Sequence, residues 1–261
     1  MAAPFKLAVR HYPHFLVNST DTKKQLIAHC RPDAAITLYR PPVRNVFDLK
    51  AAGRTERQPG RLRLVALGTV EPRKNFVAAA EITGALRALG FADATLDIVG
   101  RRGWGSDWQT LETMPGVTLH GYQSADRVRE LLHDADVFIC TSHDEGLGLP
   151  LLEAQYAGLP VVAPDAAIFR EVLDVSGTFI DTAKPKAAAA AIAALLSESG
   201  WRARHADLAT RNLARWNALA SADRNTVIAL IATLAKPGLP ALPAKPTIPL
   251  SAHEARLDGG P

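Results

Sequence analysis

The sequence predicts an α/β fold centred on a doubly wound parallel sheet of the Rossmann-like kind, over roughly residues 60–198. Short apolar runs alternate with segments of helical spacing from residue 61 onward. Such an alternation implies parallel strands joined by right-handed crossovers. The run at 136–142, Asp-Val-Phe-Ile-Cys-Thr-Ser, is nearly continuous in apolar residues, as expected of a strand buried on both faces.

The predicted elements follow one another in a regular order. Ser124 is a predicted N-cap, Pro150 lies in the first turn of its helix, and Gly158 follows that helix. The predicted strands are short runs rich in Leu, Val, Ile or Phe, at 61–68, 94–100, 117–122, 136–142, 160–164 and 176–181. The predicted helices have apolar residues at helical spacing, at 75–90, 124–135, 150–158, 184–197, 201–218 and 222–235.

Two flanking segments differ from this pattern. Residues 14–30 predict a strand, a Ser/Thr/Asp cap cluster and a helix, and residues 50–60 read as a loop. The C-terminal part is rich in proline, with a spacing of three that places the rings on one edge of a polyproline II helix. We interpret it as a disordered tail, with a ligand for an aromatic groove as the alternative. The prolines are at 237, 240, 243, 246 and 249.

Composition places the chain among ordinary globular proteins, with 261 residues of which 48% are hydrophobic and 21% charged. No apolar run approaches the roughly 20 residues that span a bilayer, and the first residues lack the apolar core of a signal peptide. Cys30 and Cys140 lie far apart, so we expect reduced thiols and a cytoplasmic chain.

The charge is distributed unevenly. Residues 1–74 contain 14 Lys or Arg against 5 Asp or Glu, a net charge of +9, and the remainder carries −5. This favours an anionic partner such as a phosphate, an acidic membrane surface or nucleic acid, with an ordinary solvated surface as the alternative. Aromatic residues do not interleave with the basic ones, so nucleic acid is not an expected partner.

Segments that follow predicted strands are the expected ligand-binding edge of such a sheet. In Gly-Thr-Val-Glu-Pro-Arg-Lys-Asn (68–75), Gly68 permits a close turn, and Arg73 and Lys74 predict a diphosphate clamp. The alternative is a basic pair on the surface. The glycines of 100–108 follow a G-x-x-G-x-G order, which is not the dinucleotide fingerprint, so we expect a turn with Trp104 packed on the sheet.

The stretch Ser-His-Asp-Glu-Gly-Leu-Gly-Leu-Pro-Leu-Leu-Glu-Ala (142–154) is the most informative. Gly146 and Gly148 let backbone N–H groups approach an anion. Carboxylates repel phosphate, so Glu145 and Glu153 are expected to bind sugar hydroxyls. Tyr122, after another strand, is a candidate to flank a nucleobase, with simple packing as the alternative.

These motifs resemble the retaining glycosyltransferases of the GT-B fold, in the family 4 group. The segment 142–164 resembles the donor-binding signature of that family, and 68–75 resembles its phosphate-binding loop. The resemblance implies that Lys74 and Arg73 contact the diphosphate, that Glu145 faces the transferred sugar and that Glu153 binds ribose. It also implies substrate contacts by Gly68, Thr69, Tyr122, Gly146, Leu147, Gly148 and Leu149.

The resemblance further implies that the chain is divided into three parts. Residues 1–59 would be a remnant of an N-terminal domain with its linker, 60–236 the nucleotide-sugar-binding domain, and 237–261 the tail. Thr69 is a departure, because many members have Arg after the loop glycine. The family has two Rossmann-like domains, and this chain begins close to where the first one ends.

The expected function is therefore transfer of a hexose from a nucleotide-diphosphate sugar, in polysaccharide or glycolipid synthesis. Glu145, Lys74 and Arg73 are the expected catalytic residues, with no cofactor and no metal. Residues 71–75 resemble members that use GDP-mannose. The main alternative is a donor-binding half that needs a separate N-domain protein. A sugar-nucleotide epimerase is a third class, supported by fold similarity alone. Peripheral contact with a membrane is a further expectation for the basic segment.

Overall fold

The computed structural model describes residues 3–51 and 61–235, and of residues 3–6 it describes the backbone alone. The chain divides into two compact units, residues 1–227 and 228–261. The predicted loop at 50–60, from residue 52 on, and the proline-rich tail lie outside the described residues.

The strands and helices have the following bounds. Strands β1 to β8 are His14–Val17, Ala35–Leu38, Arg61–Leu67, Asp93–Val99, Val117–Gly121, Val137–Ile139, Val161–Pro164 and Gly177–Ile180. Helices α1 to α9 are Ala3–His11, Thr20–Ile27, Phe76–Ala88, Asp107–Thr113, Ala125–Asp134, Leu149–Gln155, Ala167–Leu173, Pro185–Ser197 and Trp201–Leu234. Pro72–Lys74 and Asp174–Ser176 form 3₁₀ turns.

The six strands β3 to β8 form one sheet in the order β5-β4-β3-β6-β7-β8, and every neighbouring pair is parallel. The predicted Rossmann-like fold is therefore confirmed. The chain moves outward from β3 to β5 on one side, then returns to place β6 against the other side of β3. This reversal is the topological switch point at which α/β sheets bind ligands. The loops that leave β3 and β6 consequently meet.

Both faces of this sheet are covered by apolar packing. In β3, Leu62 and Leu64 belong to one core cluster and Val65 to the other, as strand alternation requires. Trp216 of α9 is fully buried in the second of these clusters. Burial on both faces explains the near-continuous apolar character of the strands.

The N-terminal segment forms a small parallel sheet of β1 and β2 with helix α2. Ser19 caps α2 by accepting a hydrogen bond from Thr22 N, as the cap cluster predicts. The carboxylate of Glu171 in α7 accepts hydrogen bonds from Thr20 N at 2.9 Å. Arg40 donates to Glu171 at 3.1 Å and to Asp223 of α9 at 2.8 Å. A buried ionic network thus fixes this segment to the larger sheet.

The structure corrects several predictions. Strand β6 is shorter than predicted at both ends. The Asp136 carboxylate accepts from Arg63 N and Arg202, and Thr141 Oγ1 donates to carbonyl oxygens of the loop after β3. The predicted helices at 201–218 and 222–235 are one continuous helix, since no Gly or Pro interrupts residues 219–221. Trp104 does not pack on the sheet, because its side chain is 66% exposed. Helices α1, α4 and α7 were not predicted.

Candidate functional site

The loops after β3 and β6 are bonded to each other at the carboxyl edge of the sheet. His143 N donates to Arg73 O at 2.9 Å. Thr141 Oγ1 donates to the carbonyl oxygens of Lys74 at 3.1 Å and Asn75 at 2.9 Å. Because the 3₁₀ turn at 72–74 is held in this way, the two predicted cations lie against the loop that contains Glu145.

Lys74 and Glu145 form the closest charge pair of the site. Lys74 Nζ lies 2.6 Å from Glu145 Oε1, and both side chains are nearly buried, at 13% and 9% exposure. Ser142 Oγ donates to the same carboxylate oxygen at 2.7 Å. Arg73 donates to Glu145 Oε2 at 3.0 Å and also pairs with Glu71 at 2.8 Å. The four charged groups balance one another, with two cations against two carboxylates.

The environment of Glu145 keeps it ionised. Burial by itself would raise the pKa of its carboxyl, but hydrogen bonds from Lys74 and Ser142 and the nearby cationic charge outweigh burial and lower the pKa. The carboxylate therefore holds Lys74 Nζ at the edge of the sheet at neutral pH. Sequence reasoning placed both residues at the site but did not predict that they pair.

The glycines at 100, 103 and 105 serve the packing of one loop against another. A Cβ at Gly100 would overlap the carbonyl oxygen of Gly68, and one at Gly103 would lie 2.6 Å from Thr69 Cγ2. Val70 N donates to Arg101 O at 2.8 Å, and Gly103 N donates to Val70 O at 3.0 Å. Close backbone approach thus supports the loop that leads to Lys74, and Thr69 remains exposed on it.

The loop that follows Glu145 presents unpaired backbone donors. None of the N–H groups of Gly146, Leu147, Gly148 and Leu149 has an acceptor among the residues that the structure describes. Gly148 caps α6 in the left-handed conformation, with φ of 77°, which a residue with a side chain adopts at a cost. Helix α6 has seven residues. A helix this short contributes little dipole, so the anion-binding groups of this segment are the loop N–H groups.

Glu153 lies in α6, and its carboxylate has no hydrogen-bond or ionic partner within the described ranges. Burial raises the pKa of its carboxyl. A half-buried carboxylate without a partner is costly, so its acceptor oxygens are available to a ligand that donates hydrogen bonds.

Tyr122 lies beyond β5 and is 72% exposed, so it does not pack in the core. The guanidinium of Arg101 lies over its ring at 4.8 Å. Arg101 follows β4, so two adjacent strand ends together provide a flat surface. Sequence reasoning identified Tyr122 and missed Arg101, which is separated from it by 21 positions.

Other features of the described residues concern ligands and membranes. Among the residues described, no group of three His, Cys, Asp or Glu could hold a metal ion. Within the same residues, no helix is long and apolar enough to cross a membrane. Cys30 and Cys140 are free thiols, and burial raises the pKa of both.

The chain is similar in sequence to known glycosyltransferases. The family "Glycosyl transferases group 1" matches residues 51–212. The O-antigen chain mannosyltransferase B of Escherichia coli is 34% identical over 147 residues, which is 52% of this chain and 37% of that protein. The D-inositol 3-phosphate glycosyltransferase of Xylanimonas cellulosilytica is 39% identical over 90 residues, which is 34% of this chain and 22% of that protein.

Solved structures agree with the predicted fold. A glycosyltransferase from Rickettsia africae superposes with a TM-score of 0.69 at 16% identity, over 90% of this chain and 68% of that one. WaaG, a glycosyltransferase involved in lipopolysaccharide biosynthesis, superposes with a TM-score of 0.64 at 18% identity, over 81% of this chain and 62% of that one.

The sequence matches described above span 37% or less of the length of the curated relatives. The family match covers more than half of this chain, and the protein belongs to the group 1 glycosyltransferases.

Proposed function

We propose that this chain binds the donor in a retaining transfer of a hexose from a nucleotide-diphosphate sugar to an acceptor hydroxyl. The observation that carries the proposal is the Lys74–Glu145 pair, at 2.6 Å, beside four unpaired N–H groups at 146–149. A fixed ammonium group and convergent backbone donors are what a diphosphate requires.

The proposed reaction needs stabilisation of one developing charge. The bond between the anomeric carbon and the diphosphate oxygen breaks, and its electron pair leaves with the nucleoside diphosphate. The acceptor oxygen forms the new bond on the same face of the sugar and passes its proton to the departing diphosphate. Lys74, Arg73 and the loop N–H groups stabilise the negative charge that develops on that diphosphate. No metal or cofactor takes part in the proposed reaction.

The ionic cluster suggests how the site changes when the donor binds. Arg73 is 42% exposed, whereas Lys74 is held by Glu145 near the protein interior. Arg73 is therefore the cation that can turn to the diphosphate at least cost. Its departure frees Glu145 Oε2 for a hydroxyl of the transferred sugar, while Oε1 continues to hold Lys74.

The remaining contacts are assigned by their chemistry. Glu153 accepts hydrogen bonds from the ribose hydroxyls, which its unpaired carboxylate supports. The exposed Tyr122 lines the base. Gly68 and Thr69 face the diphosphate from the first loop. Mannose is the proposed sugar, because four of the curated relatives are mannosyltransferases. Three of them have the name serotype-specific mannosyltransferase, and the fourth is an O-antigen chain mannosyltransferase.

Calorimetric titration of the full chain with GDP, UDP and ADP tests the donor site. We expect binding in the low millimolar range or tighter for at least one of them, and loss of affinity in Lys74→Ala. A cooperative unfolding transition in that variant shows that it is folded, even where the Tm falls because Glu145 loses a partner. If none of the three nucleotides binds, or if Lys74→Ala binds as well as the original chain, the proposal is wrong.

A second candidate is a donor-binding subunit that acts with a separate N-domain protein. The sequence matches cover 37% or less of the length of the curated relatives. A transfer assay with radiolabelled GDP-mannose distinguishes the candidates. Turnover by the chain alone contradicts the need for a partner. Turnover that appears only after a protein with the other GT-B half is added supports it.

A peripheral membrane contact is proposed for the basic segment 1–74, whose net charge is +9. Each basic residue near an acidic surface contributes about 1 kcal/mol of attraction. Sedimentation with phosphatidylglycerol vesicles should bring the chain down at low salt, and phosphatidylcholine vesicles should not. Equal sedimentation with both would contradict an electrostatic contact.

A further inference from the structure

Strands β4 and β5, at one edge of the sheet, do not pair in an even register. Leu119 of β5 lies opposite Ile98 of β4, but Val99, the next residue of β4, lies opposite Gly121. His120 is therefore an extra residue, and β5 has a bulge at its carboxyl end. Bulges are rare in parallel pairs and are frequent beside active sites, where they redirect a side chain.

A side-chain pair holds the extra residue. His120 Nε2 lies 2.6 Å from Asp97 Oδ1 of β4, and the two side chains are 15% and 23% exposed. Since an ionised carboxylate only accepts hydrogen bonds, Nε2 carries the shared proton. The hydrogen bond is charge-assisted, which makes it stronger than one between neutral groups. It ties β5 to β4 at the position where the pairing of the two strands is interrupted.

Backbone contacts fix the turn that follows the bulge. Gln123 Nε2 donates to the carbonyl oxygen of the extra residue at 2.5 Å, and Gly100 N donates to Gly121 O at 2.9 Å. Gly121 has a φ of 66°, in the left-handed region. The two bonded glycines directly precede Arg101 and Tyr122, whose side chains form the flat surface at these strand ends. The position of that surface therefore depends on the bulge.

The bulge also sets the direction of Tyr122. Side chains alternate between the two faces of a strand, so the insertion of one residue moves each later side chain to the opposite face. Without the extra His120, Tyr122 would be directed away from Arg101, whose guanidinium now lies 4.8 Å from the centre of its ring. The pair of Asp97 with His120 stabilises the arrangement in which Arg101 and Tyr122 meet.

We propose that Asp97 and His120 are positioning residues for recognition of the nucleotide base. Neither touches the base: their pair holds the bulge, and the bulge presents Tyr122 and Arg101 at the edge of the sheet. The inference rests on the proposed function, in which Tyr122 lines the base of the donor. The pair lies on β4 and β5, whereas the diphosphate contacts follow β3 and β6. Its loss should therefore weaken binding of the base and not of the diphosphate.

Calorimetry on the full chain tests the proposal with two kinds of probe, inorganic pyrophosphate and whichever of GDP, UDP and ADP binds most tightly. Asp97→Ala should lose about fivefold in nucleotide affinity, as for a lost hydrogen bond to a charged group, and keep its pyrophosphate affinity. Asp97→Asn retains an acceptor oxygen for His120 and should restore nucleotide affinity. Asp93→Ala, at an exposed aspartate of the same strand, is the matched control and should bind both probes unchanged.

A double variant separates positioning from a general loss of stability. Tyr122→Ala should also weaken nucleotide binding. Adding Asp97→Ala to Tyr122→Ala should weaken it no further, because the pair acts through that ring. His120→Ala removes the other member of the pair and should reproduce the effect of Asp97→Ala. If Asp97→Ala does not unfold cooperatively, His120→Ala takes its place in each comparison.

Each negative result has a distinct meaning. Equal nucleotide affinity of the original chain and Asp97→Ala, or additive losses in the double variant, would overturn the positioning role alone. Equal affinity of the original chain for pyrophosphate and nucleotide would overturn base recognition at this surface, and the positioning role with it. Absence of binding by pyrophosphate and all three nucleotides would overturn the donor proposal, on which this inference rests.

Discussion

Lys74 Nζ and Glu145 Oε1 are 2.6 Å apart, although 71 positions separate the two residues in sequence. The contact exists because β3 and β6 are neighbours at the point where the strand order reverses. A lysine paired in this way is positioned before any ligand arrives, and preorganised charge is the largest single contribution in many enzymes.

The first prediction concerns acid stability. The pKa of Glu145 lies below its ordinary value of 4.5 in the folded chain, so its ion pairs stabilise the fold above that pH. This contribution is lost as the pH falls from about 4.5 through the lowered pKa. Urea unfolding between pH 6 and 3 should show a steeper loss of stability for the original chain than for Glu145→Gln. Parallel pH profiles would contradict the role given to this carboxylate.

Glu153 should behave in the opposite way. Burial raises its pKa, so its contribution to stability is present at low pH and is lost as the pH rises through the folded-state pKa. Glu153→Gln should therefore raise the free energy of unfolding at pH 7, by about 0.5–2 kcal/mol. Leu152→Ala, a buried neighbour, serves as a destabilising reference. A lower stability for Glu153→Gln at pH 7 would be inconsistent with an unpaired carboxylate.

The same substitution should weaken nucleotide recognition. If Glu153 binds the ribose hydroxyls, Glu153→Gln should reduce affinity for GDP more than for 2′-deoxy-GDP. The discrimination between the two nucleotides should fall about fivefold or more, as for a lost charge-assisted hydrogen bond. An unchanged ratio of the two affinities would place the ribose elsewhere.

The loop at Gly100 packs closely on the loop at Gly68, so a side chain at position 100 should be destabilising. Gly100→Ala places a Cβ on the carbonyl oxygen of Gly68, so the loop that carries Lys74 must shift. We expect a loss of more than about 2 kcal/mol in stability together with weaker nucleotide binding. Gly84→Ala, inside α3 with open space around its Cβ position, should instead stabilise the chain by about 0.5–1 kcal/mol. Equal effects of the two changes would show that the loops are not in close contact.

Arg40 should be important for stability rather than for ligand binding. Its buried side chain pairs with Glu171 and Asp223, and removal of one member leaves buried charge unpaired. Arg40→Met should cost about 3–5 kcal/mol. Arg170→Ala, which breaks an exposed pair with Asp165, should change the Tm little. A small effect of Arg40→Met would mean that the N-terminal segment is held mainly by apolar contacts.

Local signals predicted much of the fold. Ser19 and Ser124 both cap helices where the sequence places a hydroxyl before an apolar-periodic run. The strands of the sheet follow from apolar runs, because burial on both faces leaves a clear pattern. Strand β6 is shorter than its apolar run, and the residues at its two ends, Asp136 and Thr141, bind partners that are distant in sequence and that no local pattern predicts.

The sequence predicted which residues form the candidate site, but not which of them contact one another. The sequence indicated Lys74, Arg73 and Glu145 as separate groups, because each follows a strand. Their mutual pairing, and the hydrogen bond from Ser142, depend on which strands are adjacent. The prediction that Trp104 packs on the sheet was wrong, also because it depended on contacts between distant segments. The glycines on either side of Trp104 pack on a neighbouring loop, and this leaves the indole exposed.

The most direct test of the central claim is a ¹⁵N-HSQC titration of the chain with GDP. The claim is that the unpaired N–H groups at 146–149 and the Lys74 side chain hold the diphosphate. The largest amide shift changes should fall on Gly146, Leu147, Gly148 and Leu149, and Lys74→Ala should diminish them. Changes that cluster elsewhere, or amides at 146–149 that do not respond at saturating GDP, would contradict it.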